Sequence, residues 1–415
     1  LARAVDHLRS RGERVGVVTV RLYRPFAGDA FVATLPASTR AIAVLDRTKE
    51  PGSQGEPLYQ DVLTAVTEHD AQVPIVIGGR YGLASKEFTP SMAAAVFAEL
   101  AATGPRRRFT VGIDDDVTRL SLPAEDELVP PLAGVTQAVF HGLGADGTVS
   151  ANRSSIAIIG ERAGLNAQAY FVIDSKKSGS ETVSHLRFGP EPIAAPYLVE
   201  NADFVACHQP SLLERSDLLA VAAPGATVLL NTPTAPDEVW ETLPAQARER
   251  ILERRLRLHV VDATGIARDS GLGRRVNTVL QTCFFALVDL LPLDDAIAAI
   301  KEATAKAYGK RGDEVIDRNF DAIDRAVAGL HEVEIPAGSA ATAGVEAVPS
   351  GLAATLLAGR GDELPVSAFV ADGTFPTSTA HLEKRSLADR IPIWDPELCI
   401  DCAKCALVCP HAAIR

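Results

Sequence analysis

Short runs of apolar and β-branched residues alternate with amphipathic stretches along the first 126 residues. The apolar runs predict strands at residues 14–22, 41–46, 74–78 and 109–113. The stretches between them predict helices at about residues 29–35, 59–68 and 91–102. Continuous apolar strands that alternate with helices are typical of a parallel sheet covered on both faces. Residues 1–126 are therefore expected to form an α/β domain.

The same alternation returns after a proline-rich, acidic linker at residues 123–132. Strands are predicted at residues 136–141, 169–174, 204–207 and 226–231, and helices at 238–257, 274–290, 296–308 and 314–330. The fold class is therefore α/β, with two successive α/β domains that contain mainly parallel sheets, residues 1–126 and 134–332. Residues 345–390 form a small irregular segment whose pattern predicts no particular fold.

The end of the chain carries four closely spaced cysteines. They are Cys399, Cys402, Cys405 and Cys409, in the pattern C-x-x-C-x-x-C-x-x-x-C that Pro410 closes. This spacing is typical of [4Fe–4S] sites, in which the fourth cysteine ligates the other cluster of a two-cluster module. No second motif follows in the sequence, so residues 391–415 predict a truncated ferredoxin-like [4Fe–4S] module. Zinc is the alternative, although zinc sites usually have two separated cysteine pairs.

A glycine-rich loop joins the first predicted strand of the second domain to a helical stretch. Residues 142–147 read Gly-Leu-Gly-Ala-Asp-Gly, which matches G-x-G-x-x-G between a strand and a helix. Backbone amides at such a helix N-terminus bind phosphate or pyrophosphate groups, and a tight turn without a ligand is the alternative. The candidate cofactor-binding residues here are Gly142, Gly144, Asp146, Gly147, Thr148, Asn152 and Ser154.

The residues alone leave two ligands open for this loop. Asp174 ends the next predicted strand and is a candidate to hold the ribose of a nicotinamide dinucleotide, although it lies 27 residues after Gly147. Lys176 and Lys177 follow among serines and a glycine, which suits a further phosphate such as that of coenzyme A. Both ligands are equally compatible with these residues.

Composition narrows the class of protein. A net charge of −12 argues against a nucleic-acid partner, because such binding requires a basic surface. No apolar stretch is long enough to span a bilayer comfortably, so no membrane partner is expected. Four of the six cysteines lie in one motif, which fits a reducing cytoplasm. The chain starts at Leu1 in a helical pattern and has one methionine, so an internal piece of a longer polypeptide is expected.

Several short motifs occur together in this chain, at residues 21–26, 44–52, 78–82, 112–116, 140–149, 175–177, 184–189, 383–385 and 399–410. In combination they resemble the pyruvate:ferredoxin (flavodoxin) oxidoreductase family, in the family's own domain order. The stretches resemble its second domain, its gamma-type third domain, its EKR segment and the first half of its ferredoxin module. The resemblance implies a transketolase C-terminal-like fold and a scaffold role for residues 1–126.

The resemblance also implies an activity and its cofactors. Such enzymes are 2-oxoacid synthases that decarboxylate pyruvate oxidatively to acetyl-CoA and CO₂, and their [4Fe–4S] clusters pass electrons to ferredoxin or flavodoxin. The gamma-type domain is associated with coenzyme A, which shifts the expected ligand of Lys176, Lys177 and the loop at 142–147 toward coenzyme A. The full-length enzyme is expected to be a homodimer.

Other features of the family are missing from this sequence. It contains neither a Gly-Asp-Gly nor an Asn-Asn, so thiamine diphosphate and Mg²⁺ are expected only in a part of the enzyme outside these residues. No catalytic residue is assigned here, and the chain alone is expected not to turn over pyruvate. The alternatives are another 2-oxoacid:ferredoxin oxidoreductase, an NAD-linked iron–sulfur oxidoreductase and a non-catalytic electron-transfer subunit.

Overall fold

The described part of the chain contains two β-sheets, one of three strands and one of seven strands. The structure is a computed structural model that describes residues 1–69, 71–124, 132–144, 146–174, 179–336, 351–382, 392–410 and 412–414. The three-stranded sheet lies in the first predicted domain and the seven-stranded sheet in the second. The predicted α/β fold class is thereby confirmed.

The first sheet is parallel and has the order β1-β2-β3. Its strands are β1 (Ala41–Asp46), β2 (Ile75–Arg80) and β3 (Arg108–Thr110), and the helices around it are α1 (Ala2–Ser10), α2 (Gly28–Thr34), α3 (Pro57–Glu68) and α4 (Pro90–Ala101). These elements overlap the three helices and three of the four strands that the sequence predicts for this domain.

The end of β1 fixes the start of α3. Pro57 lies in the first turn of α3, where its missing N–H costs no helical hydrogen bond. The Asp46 carboxylate accepts hydrogen bonds from the amides of Leu58 at 3.0 Å and Tyr59 at 3.1 Å. A side chain at the carboxyl end of the strand thus satisfies free amides of the helix that follows it.

The fourth strand predicted for this domain, at residues 14–22, is wrong. These residues form neither a helix nor a strand, and Val17, Val18 and Leu22 are 42%, 45% and 67% exposed. A β-branched run becomes a strand only when a neighbour offers it a ladder of hydrogen bonds. None of the described strands pairs with residues 14–22, and the first sheet ends at β1.

The second sheet is mixed, with the order β10-β9-β8-β7-β4-β6-β5. Its strands are β4 (Thr136–Leu143), β5 (Asn166–Ile173), β6 (Glu181–Gly189), β7 (Ala202–Cys207), β8 (Ala222–Asn231), β9 (Arg257–Val261) and β10 (His331–Glu332). The four central strands β9, β8, β7 and β4 are parallel, whereas the β5–β6 hairpin and β10 pair antiparallel. Parallel pairing thus characterises the centre of this sheet and not its edges.

Strand β6 is not predicted from the sequence, because it buries polar side chains. Arg187 is 3% exposed, and its guanidinium donates to Gln137 Oε1 at 2.9 Å and to the carbonyl oxygens of Ala195, Tyr197 and Leu198 at 3.1, 2.7 and 2.9 Å. These hydrogen bonds offset the cost of removing the guanidinium from water. The strand therefore lacks the apolar pattern from which buried strands are recognised.

Seven helices accompany this sheet in the described ranges. They are α5 (Thr148–Arg162), α6 (Val239–Thr242), α7 (Ala245–Arg254), α8 (Ala263–Asp269), α9 (Asn277–Val288), α10 (Leu293–Tyr308) and α11 (Asp313–Ala326). The single long helix predicted at residues 238–257 is wrong, because Pro244 separates α6 from α7 and Arg257 already belongs to β9. Over the described part of the chain, every helix is too short or too polar to cross a lipid bilayer.

Both faces of the second sheet are buried under helices. One face packs Phe140, Phe204 and Phe284 together with apolar residues of α5, α9, α10 and α11. The opposite face packs Val205 and Trp240 with residues of α7. The second domain is therefore a three-layer α/β/α structure, whose catalytic or binding chemistry is expected at the ends of its strands.

Part of the irregular segment packs against the first domain. Helix α12 (Leu352–Leu357) is followed by residues that approach the loop after β3. The amide of Val366 donates to the Asp114 carbonyl oxygen at 2.9 Å, and the amide of Ser367 donates to the Asp116 carboxylate at 3.0 Å. The segment therefore folds back over about 250 residues of sequence to reach the first domain.

Candidate functional site

The glycine-rich loop lies at the topological switch point of the second sheet. The chain leaves β4 toward β5 and β6 on one side, and it leaves β7 toward β8 on the other side. Ligands of open α/β sheets bind where neighbouring strands diverge in this way, at the carboxyl ends of the strands. Here those ends are followed in the chain by residues 144–147 after β4 and by His208 after β7.

The loop is shorter than predicted, because Gly142 is still part of β4 and α5 begins at Thr148. Gly147 has a φ of 87°, and a Cβ atom at this position would lie 2.8 Å from Asn277 Cγ. The amide of Gly144 donates to the Ser180 carbonyl oxygen at 2.9 Å, and a Cβ there would lie 2.6 Å from Ser180 Oγ. Both glycines thus allow close packing against neighbouring segments.

The Asp146 carboxylate occupies the N-terminus of α5. It accepts hydrogen bonds from the amides of Leu143 at 2.7 Å and Thr148 at 2.8 Å, and from Thr148 Oγ1 at 2.5 Å. A carboxylate is favourable at this end of a helix, where free amides and the helix dipole favour negative charge. Asp146 and Thr148, which the sequence predicts as ligand contacts, are therefore brought together and bond to each other.

His208 extends this network and is a residue that the sequence analysis missed. Its Nδ1 lies 2.7 Å from Thr148 Oγ1, its amide donates to the His141 carbonyl oxygen at 2.8 Å, and its carbonyl oxygen accepts from Asn231 Nδ2 at 2.9 Å. Burial lowers the pKa of His208 to about 4, so that its imidazole is neutral at pH 7. Its position directly after the predicted strand 204–207 is the sequence signal that identifies it.

A second histidine, His141, lies in β4 two residues before its end. His141 Nδ1 lies 3.3 Å from Glu181 Oε1, and its Nε2 is buried without a hydrogen-bond partner. Cys207 lies opposite His141 in the sheet, and its Sγ donates to the Gln209 carbonyl oxygen at 3.1 Å. Burial raises the pKa of Cys207 to about 12, so this thiol stays protonated and unreactive.

The remaining predicted residues of this site lie in different places. Asn152 is 3% exposed on α5, one turn after Thr148, and its Nδ2 has no hydrogen-bond partner. Ser154 lies farther along α5 and is half-buried. Lys176 and Lys177 lie outside the described residues, in the connection between β5 and β6.

Asp174 is poorly placed for the nicotinamide role. In a Rossmann unit, the second strand lies next to the first and its acidic residue reaches the ribose of the dinucleotide. Here β6 separates β5 from β4, and β5 and β6 form an antiparallel hairpin. Asp174 therefore lies one strand farther from the glycine-rich loop than a Rossmann unit requires.

A cavity of about 300 Å³ opens beside the switch point, at the carboxyl ends of β8 and β9. Its lining includes Thr232, Asp262, Arg268 and His331. Asn231 stands between this cavity and His208, because its Nδ2 bonds to the His208 carbonyl oxygen and to Thr264 Oγ1 at 3.1 Å. The carboxyl edge of the sheet thus presents polar groups over four neighbouring strands.

Replacing His208 with glutamine is expected to reduce the acid sensitivity of the second domain. The pKa of His208 is lowered to about 4 by burial, whereas an unfolded histidine titrates near pH 6.5. The unfolded state therefore binds this proton first, and stability of up to about 3 kcal/mol is lost as the pH falls from 6.5 to 4. Glutamine does not titrate and has a volume close to that of histidine. Urea unfolding at pH 7 and pH 5 measures the difference.

The same substitution at the exposed residue His331 is the control for this prediction. His331→Gln should leave the acid-induced loss of stability of the parent chain in place. An H208Q variant that loses as much stability as the parent chain between these two pH values contradicts the role of a buried neutral His208.

The four cysteines lie at the end of the chain, around helix α13 (Lys404–Val408). Cys402 and Cys405 are exposed, Cys399 and Cys409 are partly buried, and none forms a disulfide. Among the residues that the structure describes, no three Cys, His, Asp or Glu side chains are placed to hold one metal ion. The four thiols are therefore not gathered around one point.

The donor set nevertheless fits an iron–sulfur cluster. Four cysteine thiols within eleven residues are the soft ligands that such a cluster requires. The large apolar residues around them have no core to enter, since Trp394, Ile400 and Leu407 are 67%, 81% and 85% exposed. Folding of small metal sites is coupled to binding of the metal, which supplies the missing centre.

Four family models match successive parts of the chain. The model of pyruvate:ferredoxin oxidoreductase core domain II matches residues 1–91, and that of pyruvate ferredoxin/flavodoxin oxidoreductase matches residues 137–329. A domain of unknown function, EKR, matches residues 348–388, and a 4Fe-4S binding domain matches residues 391–414.

Curated relatives match along the whole chain. The pyruvate-flavodoxin oxidoreductase of Rhodospirillum rubrum is 52% identical over 429 aligned positions, which cover 100% of this chain and 36% of that protein. The chain belongs to the pyruvate:ferredoxin (flavodoxin) oxidoreductase family. The pyruvate:ferredoxin oxidoreductase of Moorella thermoacetica is 49% identical, again over 100% of this chain and 36% of that protein. The probable pyruvate-flavodoxin oxidoreductase of Escherichia coli is 48% identical over 99% of this chain and 36% of that protein.

The chain thus spans about a third of the length of the curated relatives it matches, which agrees with the expected piece of a longer polypeptide. Among solved structures, pyruvate oxidoreductase subunit PORC from Thermotoga maritima covers 48% of this chain and 99% of its own length, with 23% identity and a TM-score of 0.39. A 2-oxoglutarate:ferredoxin oxidoreductase from Magnetococcus marinus covers 48% of this chain and 31% of its own length, with 19% identity and a TM-score of 0.37. These scores are too low to establish a common fold by themselves.

Proposed function

We propose that this chain is part of an enzyme that decarboxylates pyruvate oxidatively to acetyl-CoA and CO₂ and passes the electrons to ferredoxin or flavodoxin. The observation that carries the proposal is the 52% identity to a pyruvate-flavodoxin oxidoreductase along the entire chain. The full-length enzyme acts as a cytoplasmic homodimer with no nucleic-acid or membrane partner. Thiamine diphosphate and Mg²⁺ belong to parts of that enzyme outside this chain.

The proposal divides the chain into four parts with different roles. Residues 1–126 are the scaffold domain, residues 134–332 the gamma-type domain associated with coenzyme A, residues 345–390 the EKR segment, and residues 391–415 a partial ferredoxin-type module. The parallel sheet of the first domain and the mixed sheet of the second support the first division. The hydrogen bonds of residues 366–367 with the first domain, and not with the second, support a separate segment after residue 332.

In the partial module, Cys399, Cys402 and Cys405 hold one [4Fe–4S] cluster and Cys409 is a ligand of the other cluster. The cluster supplies the one-electron chemistry, and the surrounding residues set its potential through burial and hydrogen bonds. Electron transfer along this path requires no general acid or base from the chain.

In the gamma-type domain, coenzyme A binds at the switch point. The proposed binding residues are Gly142, Gly144, Asp146, Gly147, Thr148, Asn152, Ser154, Lys176 and Lys177. The buried Nδ2 of Asn152 and Nε2 of His208 support a ligand here, because buried polar atoms without partners are rare in folded proteins.

Two other enzyme functions differ from this one in the sites that they require. A related 2-oxoacid:ferredoxin oxidoreductase would share this coenzyme A site and differ in a substrate pocket outside this chain. An NAD-linked enzyme requires an acidic residue on the strand next to β4, and the hairpin topology of β5 and β6 disfavours it.

Calorimetric titration of the 415-residue chain with coenzyme A, and separately with NAD⁺, tests the proposal. Coenzyme A is expected to bind saturably, and the double substitution Lys176→Ala/Lys177→Ala is expected to weaken it about tenfold or more, because each lysine lost from a phosphate contact removes about 1 kcal/mol or more. Binding of NAD⁺ without coenzyme A overturns the proposal in favour of a nicotinamide enzyme.

The exposed lysines Lys306 and Lys310 supply a matched control. Lys306→Ala/Lys310→Ala removes the same charge from the chain and should leave the affinity for coenzyme A unchanged. Equal weakening by both double variants would show that the net charge, and not a defined site, governs binding.

A further inference from the structure

Two loops lie together at the carboxyl end of the first sheet. Residues 81–89 follow β2, and residues 111–118 follow β3. The loops meet at Gly112, where a Cβ atom would lie 3.5 Å from the Glu87 carbonyl oxygen. Parallel α/β sheets bind their ligands at loops in this position. In this chain, residues about 250 positions further along the sequence already contact both loops.

The loop after β3 is held by main-chain and side-chain hydrogen bonds of the EKR segment. The Val366 amide donates to the Asp114 carbonyl oxygen at 2.9 Å, next to an isolated parallel β-bridge between Asp114 and Pro365. The Asp116 carboxylate accepts the amide of Ser367 at 3.0 Å and its hydroxyl, and these hydrogen bonds lower the pKa of Asp116. The contact therefore combines strand-like pairing with a charged acceptor.

The loop after β2 meets the same segment through a largely buried lysine. The Lys86 side chain is 19% exposed, and its Nζ lies 2.7 Å from Asp362 Oδ1. A buried ammonium group needs an acceptor, because its removal from water otherwise costs free energy. Lys86 therefore depends on its partner in the EKR segment, whereas Asp362 is 70% exposed and is hydrated in any case.

The residue that follows Lys86 binds the second domain. Glu87 Oε2 accepts a hydrogen bond from the Leu198 amide at 3.0 Å. The Leu198 carbonyl oxygen is in turn one of the acceptors that hold the buried guanidinium of Arg187 in β6. Two consecutive residues of one loop thus contact the EKR segment and the second domain.

We propose that residues 361–367 are a clasp that holds the loop of residues 81–89 in place and thereby couples the first domain to the second. The clasp fixes the position of Lys86, and the position of Lys86 fixes that of Glu87 at the Leu198 amide. The EKR segment thereby stabilises the contact between the two α/β domains. This role requires no ligand at the glycine-rich loop and no cluster at the cysteines.

The clasp is expected to open more readily than the domains that it joins. Val366 and Phe369 are 38% and 45% exposed, and none of the described residues 351–382 belongs to an apolar core of either domain. A segment that is held by a few hydrogen bonds and one ion pair opens locally, while the domains stay folded. Amide exchange therefore reports on the clasp without unfolding the chain.

Hydrogen–deuterium exchange of charge-reversed variants of the 415-residue chain tests the coupling. Lys86→Glu places two carboxylates together and is expected to speed exchange about threefold or more, both in residues 364–369 and in residues 195–200. Asp362→Lys places two ammonium groups together and should have the same effect in both ranges. The double variant Lys86→Glu/Asp362→Lys restores an opposite-charge pair and should return both ranges to the exchange of the parent chain.

Lys301 supplies the matched control, because its Nζ lies 2.7 Å from Asp324 Oδ2 and its side chain is 28% exposed. Lys301→Glu should leave exchange in residues 364–369 and 195–200 unchanged.

The remaining outcomes contradict the proposal at different steps. Unchanged exchange of residues 364–369 in D362K overturns the clasp. Faster exchange there with unchanged exchange of residues 195–200 overturns the coupling and limits the EKR segment to the first domain. If the double variant does not restore the exchange of the parent chain, the ion pair is not what holds the clasp. Asp362 is exposed, so D362K decides between these outcomes even if K86E does not fold.

Discussion

Replacing Cys402 with alanine is expected to abolish assembly of an iron–sulfur cluster while both α/β domains stay folded. Cys399, Cys402 and Cys405 supply three thiolate ligands of one [4Fe–4S] cluster, and two of them are too few to hold it. The cysteine segment contributes nothing to either core of the second domain, so losing one thiol should not affect those cores. Iron and acid-labile sulfide per chain after anaerobic reconstitution measure the cluster, and far-ultraviolet circular dichroism measures the fold.

Lys404 supplies the control, since it is exposed and lies between the second and third cysteines. Lys404→Ala should bind as much iron and sulfide as the parent chain. Loss of the circular-dichroism signal in C402A would contradict a module that folds apart from the α/β domains. Zinc without labile sulfide in the parent chain would replace the iron–sulfur assignment with a zinc site.

The first domain shows what hydrophobic periodicity predicts and where it fails. Strands β1 and β2 are continuous apolar runs, and both were predicted close to their observed bounds. Residues 14–22 carry an equally good β-branched run and yet form no strand. Strand propensity is local, whereas pairing depends on a partner elsewhere in the chain, and a single run contains no information about that partner.

The second domain shows the opposite failure, in which an observed strand, β6, lacks the apolar pattern from which strands are predicted. Arg187 and His185 are buried in β6, where carbonyl oxygens and the amide of Val199 satisfy them. Those partners lie on a segment that follows the strand, so the sequence of β6 alone looks too polar for a buried position. Burial of this polar strand therefore depends on hydrogen bonds with another segment of the chain and not on the composition of the strand itself.

The candidate site also contains features that the sequence predicts and features that it does not. The G-x-G-x-x-G motif correctly placed a turn between a strand and a helix, because glycine is required where Gly147 adopts a positive φ. The motif did not reveal His208 or Asn277, which approach the loop from positions 61 and 130 residues beyond Gly147. Nor did it reveal that Asp146 bonds to its own helix, since an aspartate before a helix suits a ligand contact and a cap equally well.

Replacing Phe284 with alanine is expected to cost the second domain about 3–5 kcal/mol of its free energy of unfolding. Phe284 is fully buried on α9, and its ring lies 5.1 Å from those of Phe140 and Phe204 and 5.3 Å from that of Phe285. Alanine loses the burial of the ring and leaves a cavity that these rigid neighbours cannot fill. Urea unfolding followed by tryptophan fluorescence measures the loss, because Trp240 lies in the opposite core of the same sheet.

The half-exposed Phe375 is the matched control, and Phe375→Ala should change stability by less than about 0.5 kcal/mol. Helix α9 also connects the core to the candidate site, because Asn277 at its first residue packs over Gly147 seven residues before Phe284. A cavity at Phe284 lets this helix shift, so F284A should also speed amide exchange in residues 143–148. If F284A lost several kcal/mol without faster exchange there, the loop would depend on the Asp146–Thr148–His208 network alone and not on α9.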